Sequence, residues 1–266
     1  MRKIQALLLV LCFVAAMATA DQTNVSSVNA VGYVKVFCPG GGGLALVAVP
    51  CNPLSTNASF TLDELIGPNM TKDWQLTSAD NIYLWTGSGF NIAFLSDATW
   101  GPEFDGKWAY MDGSAVLCAG NPAYSVAVGE GFWVKTQSAN PDRTLTLMGE
   151  VPSDPNTSLP IAGLTIRANP YPVARTLSEL VPSPPGFKDW QLTSADNVYM
   201  WNGAGYDIYF LSDATWGPEF DGKWAYMDGS AVLATNQVLP GQAFWYVVAA
   251  GNTNFWLTVD KPYLWP

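Results

Sequence analysis

The residues of this chain best suited to chemistry are the carboxylates and tryptophans of one segment, LSDATWGPEFDGKWAYMDGSAVL. It occurs twice, letter for letter, at 95–117 and 211–233. Asp97, Glu103, Asp105 and Asp112, with their copies Asp213, Glu219, Asp221 and Asp228, offer the hard oxygens that calcium takes. Their spacing matches no D-x-D-x-D-G loop, so they are calcium candidates by composition alone. Trp100 and Trp108, with Trp216 and Trp224, carry flat rings that can lie on a sugar face. Asp105 and Asp221 stand close enough in sequence to accept sugar hydroxyls. These six residues are the candidate ligand-binding set. Trp100 and Trp216 are each followed by Gly-Pro, which favours a place at the edge of a turn. The competing reading is structural: rings packed in a core, and Asp-Gly pairs in "FDGKW" and "MDGSA" serving as turn formers.

The 266 residues contain no histidine. That removes the usual general base, the Ser-His and Cys-His nucleophile pairs and the commonest transition-metal ligand. No phosphate-binding G-x-x-x-x-G-K-[ST] loop is present, and "GGGG" at 40–43 follows Pro39 as a turn would. Glycoside hydrolysis would need a carboxylate pair in each copy of the repeat. The expectation is therefore a non-enzyme with no catalytic residues and no cofactor beyond the calcium candidates.

Positioning falls to a duplicated unit. At a constant offset of 116, Lys72–Leu117 and Lys188–Leu233 agree at 39 of 46 positions; 82, 84, 86, 88, 90, 91 and 93 differ. Outside this window the order still corresponds: "LALVAVPCNP" with "LTIRANPYPV", "TLDEL" with "TLSEL", "GEGFWVKT" with "GQAFWYVV". "VGYVKV" is faintly echoed by "MGEVPS". The local signals are strand and turn. "IYLW-TGSG-FNIAFL" and "VYMW-NGAG-YDIYFL" read as hairpins, and alternation places Tyr83 and Trp85 on the face opposite 82 and 84. Trp85, Trp133, Trp201 and Trp245 fall in strand patterns and are expected in a core. "TLDEL" and "TLSEL" fit capping boxes closing short helices. The repeated segment itself, rich in Gly, Pro, Asp and Ser, is expected to be largely loop. The fold expected is all-β: two tandem antiparallel sandwich or barrel domains, each with one short helix, at 21–150 and 151–266.

Residues 1–20 read as a secretory signal peptide: Arg2 and Lys3, an apolar run, then Ala18-Thr19-Ala20. Its removal takes the formal net charge from −10 to −12, since Arg2 and Lys3 leave with it. Such acidity disfavours nucleic acid and anionic lipid as partners, and no later stretch is apolar enough for membrane insertion. Cys38, Cys51 and Cys118 remain, an odd number that allows at most one internal disulfide.

The ordered motifs "VGYVKV", "GLALVAVPCNP", "IYLWTGSGF", "VAVGEGFWVKT" and their second-half counterparts resemble a family of exported, β-rich bacterial proteins with duplicated modules. The resemblance covers nearly all of the chain after residue 20. It implies the architecture and export, and no activity or site residue; the exact repeat is not part of the family's pattern. The functional expectation is a secreted, non-enzymatic protein of the cell envelope or an extracellular assembly, with self-association or cell-surface components as partners. The alternative is a bivalent carbohydrate-binding protein with glycans as partners.

Overall fold

The computed structural model describes residues 30–180, 182, 186–249 and 255–264; the signal peptide expected at 1–20 lies outside them. In the first half the chain forms β1 (Val31–Cys38), β2 (Leu44–Ala48) and β3 (Ser59–Thr61), then the one-turn helix α1 (Leu62–Leu65). There follow β4 (Asn81–Trp85), β5 (Phe90–Leu95), β6 (Trp108–Asp112) and β7 (Ser114–Leu117). β8 (Ser125–Ala127), β9 (Gly131–Lys135) and β10 (Arg143–Glu150) complete the half. The second half repeats the series: β11 (Asn156–Ile161), β12 (Leu164–Ala168), β13 (Arg175–Thr176), β14 (Asn197–Trp201) and β15 (Tyr206–Leu211). It ends with β16 (Trp224–Asp228), β17 (Ser230–Leu233), β18 (Gln237–Val238), β19 (Ala243–Val247) and β20 (Phe255–Asp260).

The strand orders agree. One antiparallel sheet runs β2-β9-β4-β5-β6-β7, the other β12-β19-β14-β15-β16-β17. In each half the first and last strands pair as a separate ribbon, β1 with β10 and β11 with β20. Alternation explains how the first ribbon packs. Val34 and Cys38 from β1, with Leu145 and Leu147 from β10, are buried, while Val31, Tyr33 and Phe37 are exposed. Cys38, Leu145 and Leu147 meet Val47, Ile82, Leu95, Trp108 and Phe132 of the sheet in one core. Leu159, Leu257 and Val259 of the second ribbon meet Val198, Leu211, Trp224 and Phe244 in the corresponding core. The fold is thus all-β, with two tandem antiparallel sheets in like halves. No helix among the described residues is long and apolar enough to cross a membrane.

Three expectations need correction. "MGEVPS" is no counterpart of β1: Met148–Glu150 end β10, which pairs with β1, and β11 stands where β1 does. Ribbon pairing places the two strands, and a weak likeness of letters cannot. The repeated segment begins on the last residue of β5 and is loop, with two 3-10 turns, only from residue 96 to residue 107. Beyond it β6 and β7 form a hairpin, as β16 and β17 do in the copy. Gly113 (φ 70°) supplies the left-handed residue that this tight turn requires. The second capping box closes a 3-10 turn, Leu177–Glu179, where the first closes α1.

The repeat also carries a structural staple. Asp80 is fully buried and accepts from the Thr71 and Gln137 amides and from Asn140 Nδ2. Its copy Asp196 accepts from the Phe187 and Ala249 amides and from the Tyr246 hydroxyl. Each carboxylate ties the approach to β4 or β14 to the exit from β9 or β19, and its hydrogen bonds offset the cost of burial.

Candidate functional site

The strands from Val31 onward belong to one compact unit, and the two sheets meet through their second faces. On β4, Ile82 and Leu84 point into the first half's own core; Tyr83 and Trp85 point the other way. Trp133, Trp245, Leu46, Ala48, Ile166, Ala168 and Ala243 form a third core cluster, between the halves. The contacts exchange in pairs, as an approximate twofold requires. Trp85 Nε1 donates to the Leu164 carbonyl (2.7 Å) and Trp201 Nε1 to that of Leu44 (3.2 Å). Trp85 meets Trp245 edge to face, and Trp133 meets Trp201 likewise, each with centroids 5.2 Å apart. The Ala48 amide donates to the Gly241 carbonyl, and that of Ala168 to Gly129. Of the four tryptophans expected in a core, Trp133 and Trp245 are buried at the junction, whereas Trp85 and Trp201 are only partly buried and pack against it.

A groove of about 580 Å³ opens over this junction. Tyr83, Phe90 and Trp133 line it from the first half; Tyr199, Trp201, Tyr206 and Trp245 line it from the second. Leu44, Leu164 and Lys135 complete it. Phe90 and Tyr206 stand at its rim, each 41% exposed, at equivalent positions of the two hairpins. Trp245 Nε1 donates to the Tyr206 hydroxyl (3.2 Å). Burial lifts the Tyr83 hydroxyl above its ordinary pKa. The lining contains no carboxylate, thiol or serine; its titratable groups are the Tyr83, Tyr199 and Tyr206 hydroxyls and the Lys135 ammonium. Aromatic walls with a few hydroxyls and one ammonium suit a ligand that presents flat apolar faces.

The candidates drawn from the sequence lie elsewhere. Trp108 and Trp224 are 0% and 1% exposed and cannot stack on a ligand. Alternation on β6 and β16 turns them inward, and their indoles donate to the Gly67 and Leu180 carbonyls. Trp100 and Trp216 are half-buried, their indoles donating to the carbonyls of Trp74 and Trp190. Asp105 is ion-paired with Lys72 (2.6 Å) and Asp221 with Lys188 (2.7 Å). Asp97 and Asp213 accept from the Thr99 and Thr215 amides as caps of 3-10 turns. Glu103 and Glu219 lie in the following 3-10 turns, and Asp112 and Asp228 open hairpin turns. Among the described residues, no three His, Cys, Asp or Glu side chains converge to hold a metal ion. The calcium candidates are thus not gathered into one site. Cys38, Cys51 and Cys118 are buried free thiols.

The sequence reading missed the groove. Its signal was the retention of Tyr83 and Trp85 in both copies while 82 and 84 changed. Comparison with known proteins returned no match: no family model, no curated protein and no solved structure is similar to the chain.

Proposed function

We propose that the chain is an exported, non-catalytic protein of the cell envelope or an extracellular assembly, and that it works by holding a glycan strand in the groove between its halves. The observation that carries the binding reading is the convergence of seven aromatic side chains, drawn from both halves, on one open groove. Pyranose rings present flat C–H faces to such walls and keep their hydroxyls toward water and the rim. Export rests on the leader-like first twenty residues and on the resemblance to exported bacterial proteins. The absence of histidine and the apolar lining support binding without turnover.

Titration with soluble neutral oligosaccharides, read by tryptophan fluorescence, tests this. The Phe90→Ala, Tyr206→Ala double variant removes the two rim rings together with their contacts to Trp85, Trp133, Trp201 and Trp245, so its melting temperature is measured alongside, and Tyr206→Phe controls for the lost hydroxyl. The double variant should bind roughly five- to hundredfold more weakly, from about 1–3 kcal/mol for two stacking contacts. Unchanged affinity in the double variant, or release of shorter sugars during the incubation, rejects the reading. A second reading, bivalent carbohydrate binding on the repeated faces, is favoured by the exposure of Trp74 (44%) and Trp190 (45%) beside Trp100 and Trp216.

A further inference from the structure

The sheet of the second half parts between two of its own strands. β15 pairs with β16 only at Phe210↔Ala225 and Leu211↔Trp224. Ile208 and Met227 come next in register, and the ladder does not reach them. The Leu211 amide donates to the Asp196 carbonyl, so Leu211, Tyr209 and Asp207 turn their peptide groups to β14. Tyr206 and Ile208 therefore turn theirs to the gap. On β16 the Ala234 amide donates to the Trp224 carbonyl, so Trp224 and Tyr226 spend their groups on β17, and Met227 faces the gap from the other side. A cleft of about 530 Å³ lies here, lined by residues 206–209, by Tyr226 and Met227, and by Thr235 and Asn236 of the connection to β18. Tyr206, Asp207, Met227, Thr235 and Asn236 are exposed, so a ligand can reach it.

The first half has the same parting, filled by the chain itself. β5 and β6 pair only at Phe94↔Ala109 and Leu95↔Trp108. Residues 118–124 connect β7 to β8 there and carry a 3-10 turn, Pro122–Tyr124. Asn91 Nδ2 of β5 donates to the Ala123 carbonyl (3.3 Å), and Tyr124 stacks on Tyr110 of β6, with centroids 4.6 Å apart. The turn thus spans both strands. In the second half only residues 234–236 connect β17 to β18, without such a turn. Tyr209, in place of Ala93, meets Tyr226 edge to face at 6.2 Å and takes up part of the space. Tyr206, Asp207 and Tyr209 stand at three of the seven positions at which the copies differ. The second half therefore departs from the first at this cleft, in both its hairpin and its connection.

Unpaired peptide groups along a strand are a template for another strand. Here they lie beside negative charge. Asp207 Oδ1 accepts from Asn202 Nδ2 (2.9 Å), and Oδ2 has no partner among the described residues. Asp228 stands opposite Asp207 in register, and alternation puts both on the face that carries Tyr209 and Tyr226. The lining contains no lysine or arginine, and the whole chain has a net charge of −10. Main-chain donors and acceptors beside carboxylates match an extended peptide with basic side chains and repel an acidic one.

We propose that the cleft between β15 and β16 docks an extended segment of a partner protein, which pairs with Tyr206 and Ile208 of β15 and presents a lysine or arginine to Asp207. The main chain supplies the pairing, and Asp207 supplies the preference for a basic side chain. The inference goes beyond the glycan reading of the groove and does not depend on it.

NMR titration of the isotope-labelled full chain tests this. The probe is a capped pentapeptide of alternating threonine and lysine, whose lysines share one side of an extended strand. It should shift the amide signals of Tyr206, Ile208 and Met227 to saturation. The same peptide with its main chain N-methylated keeps its charge and cannot donate to a strand, and should bind at least about fivefold more weakly. Glutamate in place of lysine should abolish the shifts. Asp207→Asn installs the residue that the first half carries, Asn91, and should weaken the lysine peptide about two- to fivefold, as loss of one exposed ion pair implies. The methylated and glutamate peptides act on the wild type, so those arms stand whatever Asp207→Asn does to the melting temperature. No shift at the three amides with millimolar lysine peptide overturns the proposal. Equal binding of the methylated peptide leaves a cation site without strand pairing and also overturns it, as does equal binding of the glutamate peptide. A neutral hexasaccharide that shifts the same amides and competes with the peptide assigns the cleft to the glycan and overturns peptide docking.

Discussion

Gly131 sits at the tightest contact of the junction, and replacing it with alanine is the cleanest test of how the halves meet. A Cβ at this position would lie 2.4 Å from Ala243 Cβ and 2.5 Å from Ile166 Cγ2, both in the other half. Carbon atoms pack at about 3.5–4.0 Å, so the strands must separate by roughly 1 Å or more to admit the methyl. The backbone of Gly131 does not require glycine for its conformation, so the effect of Gly131→Ala is steric. Overpacking of this kind costs about 1–3 kcal/mol. For a unit of this size that lowers the melting temperature by roughly 2–12 °C. Ala243 is the counterpart of Gly131 in the second half, which gives the test its second arm. Ala243→Gly alone should destabilise, through a lost methyl and a freer unfolded chain. In the presence of Gly131→Ala the same change should cost less than it does alone, because it removes one of the two close contacts and leaves that with Ile166. Urea unfolding of wild type, both single variants and the double variant yields the coupling energy, with an expected size of about 1–3 kcal/mol. A Gly131→Ala protein as stable as wild type, or single-variant effects that simply add in the double variant, refutes the face-to-face junction and the groove built on it.

Two further outcomes are expected. Trp108→Ala and Trp224→Ala should each cost about 3–5 kcal/mol, as core truncations do, whereas Trp74→Ala with Trp190→Ala should change stability by less than about 1 kcal/mol each. Denaturant midpoints check this, and if the Trp74/Trp190 pair rather than the rim variant weakens oligosaccharide binding, the site moves to the repeated faces. Burial pushes the Cys38 and Cys118 thiols up to about 12 and Cys51 to about 11, against an ordinary 9.0. The unfolded chain therefore loses these protons first as pH rises. Their contribution to stability is fully present below pH 9 and falls between about pH 9 and 12, by up to about 1.4 kcal/mol per pH unit for each thiol. Thiol-reagent kinetics at pH 8 should follow global unfolding; rapid labelling of native protein contradicts the burial of all three.

The duplicated all-β plan was legible because strand periodicity, hairpin glycines and capping boxes are local. "IYLWTGSGFNIAFL" folds as the hairpin its letters suggest, and Thr61 and Glu64 cap one another within a single turn. The candidate site was not legible, for a physical reason visible on β4. Its two faces are both apolar, Ile82 and Leu84 against Tyr83 and Trp85, and period-2 alternation separates the faces without saying what each one meets. Trp100 and Trp108 pose the same problem within the repeat: both are tryptophans in an acidic segment, and only the direction of β6 buries the second.

By itself, then, the sequence determined the strand and turn pattern, the two copies and the lack of histidine chemistry. The tertiary structure alone decided which aromatic residues are shared between the halves. Phe90 and Tyr206 lie more than a hundred residues apart and reach one groove only because two like sheets pack through their second faces. Contacts of that range depend on how whole sheets bury apolar area against each other, a property no local pattern of letters contains.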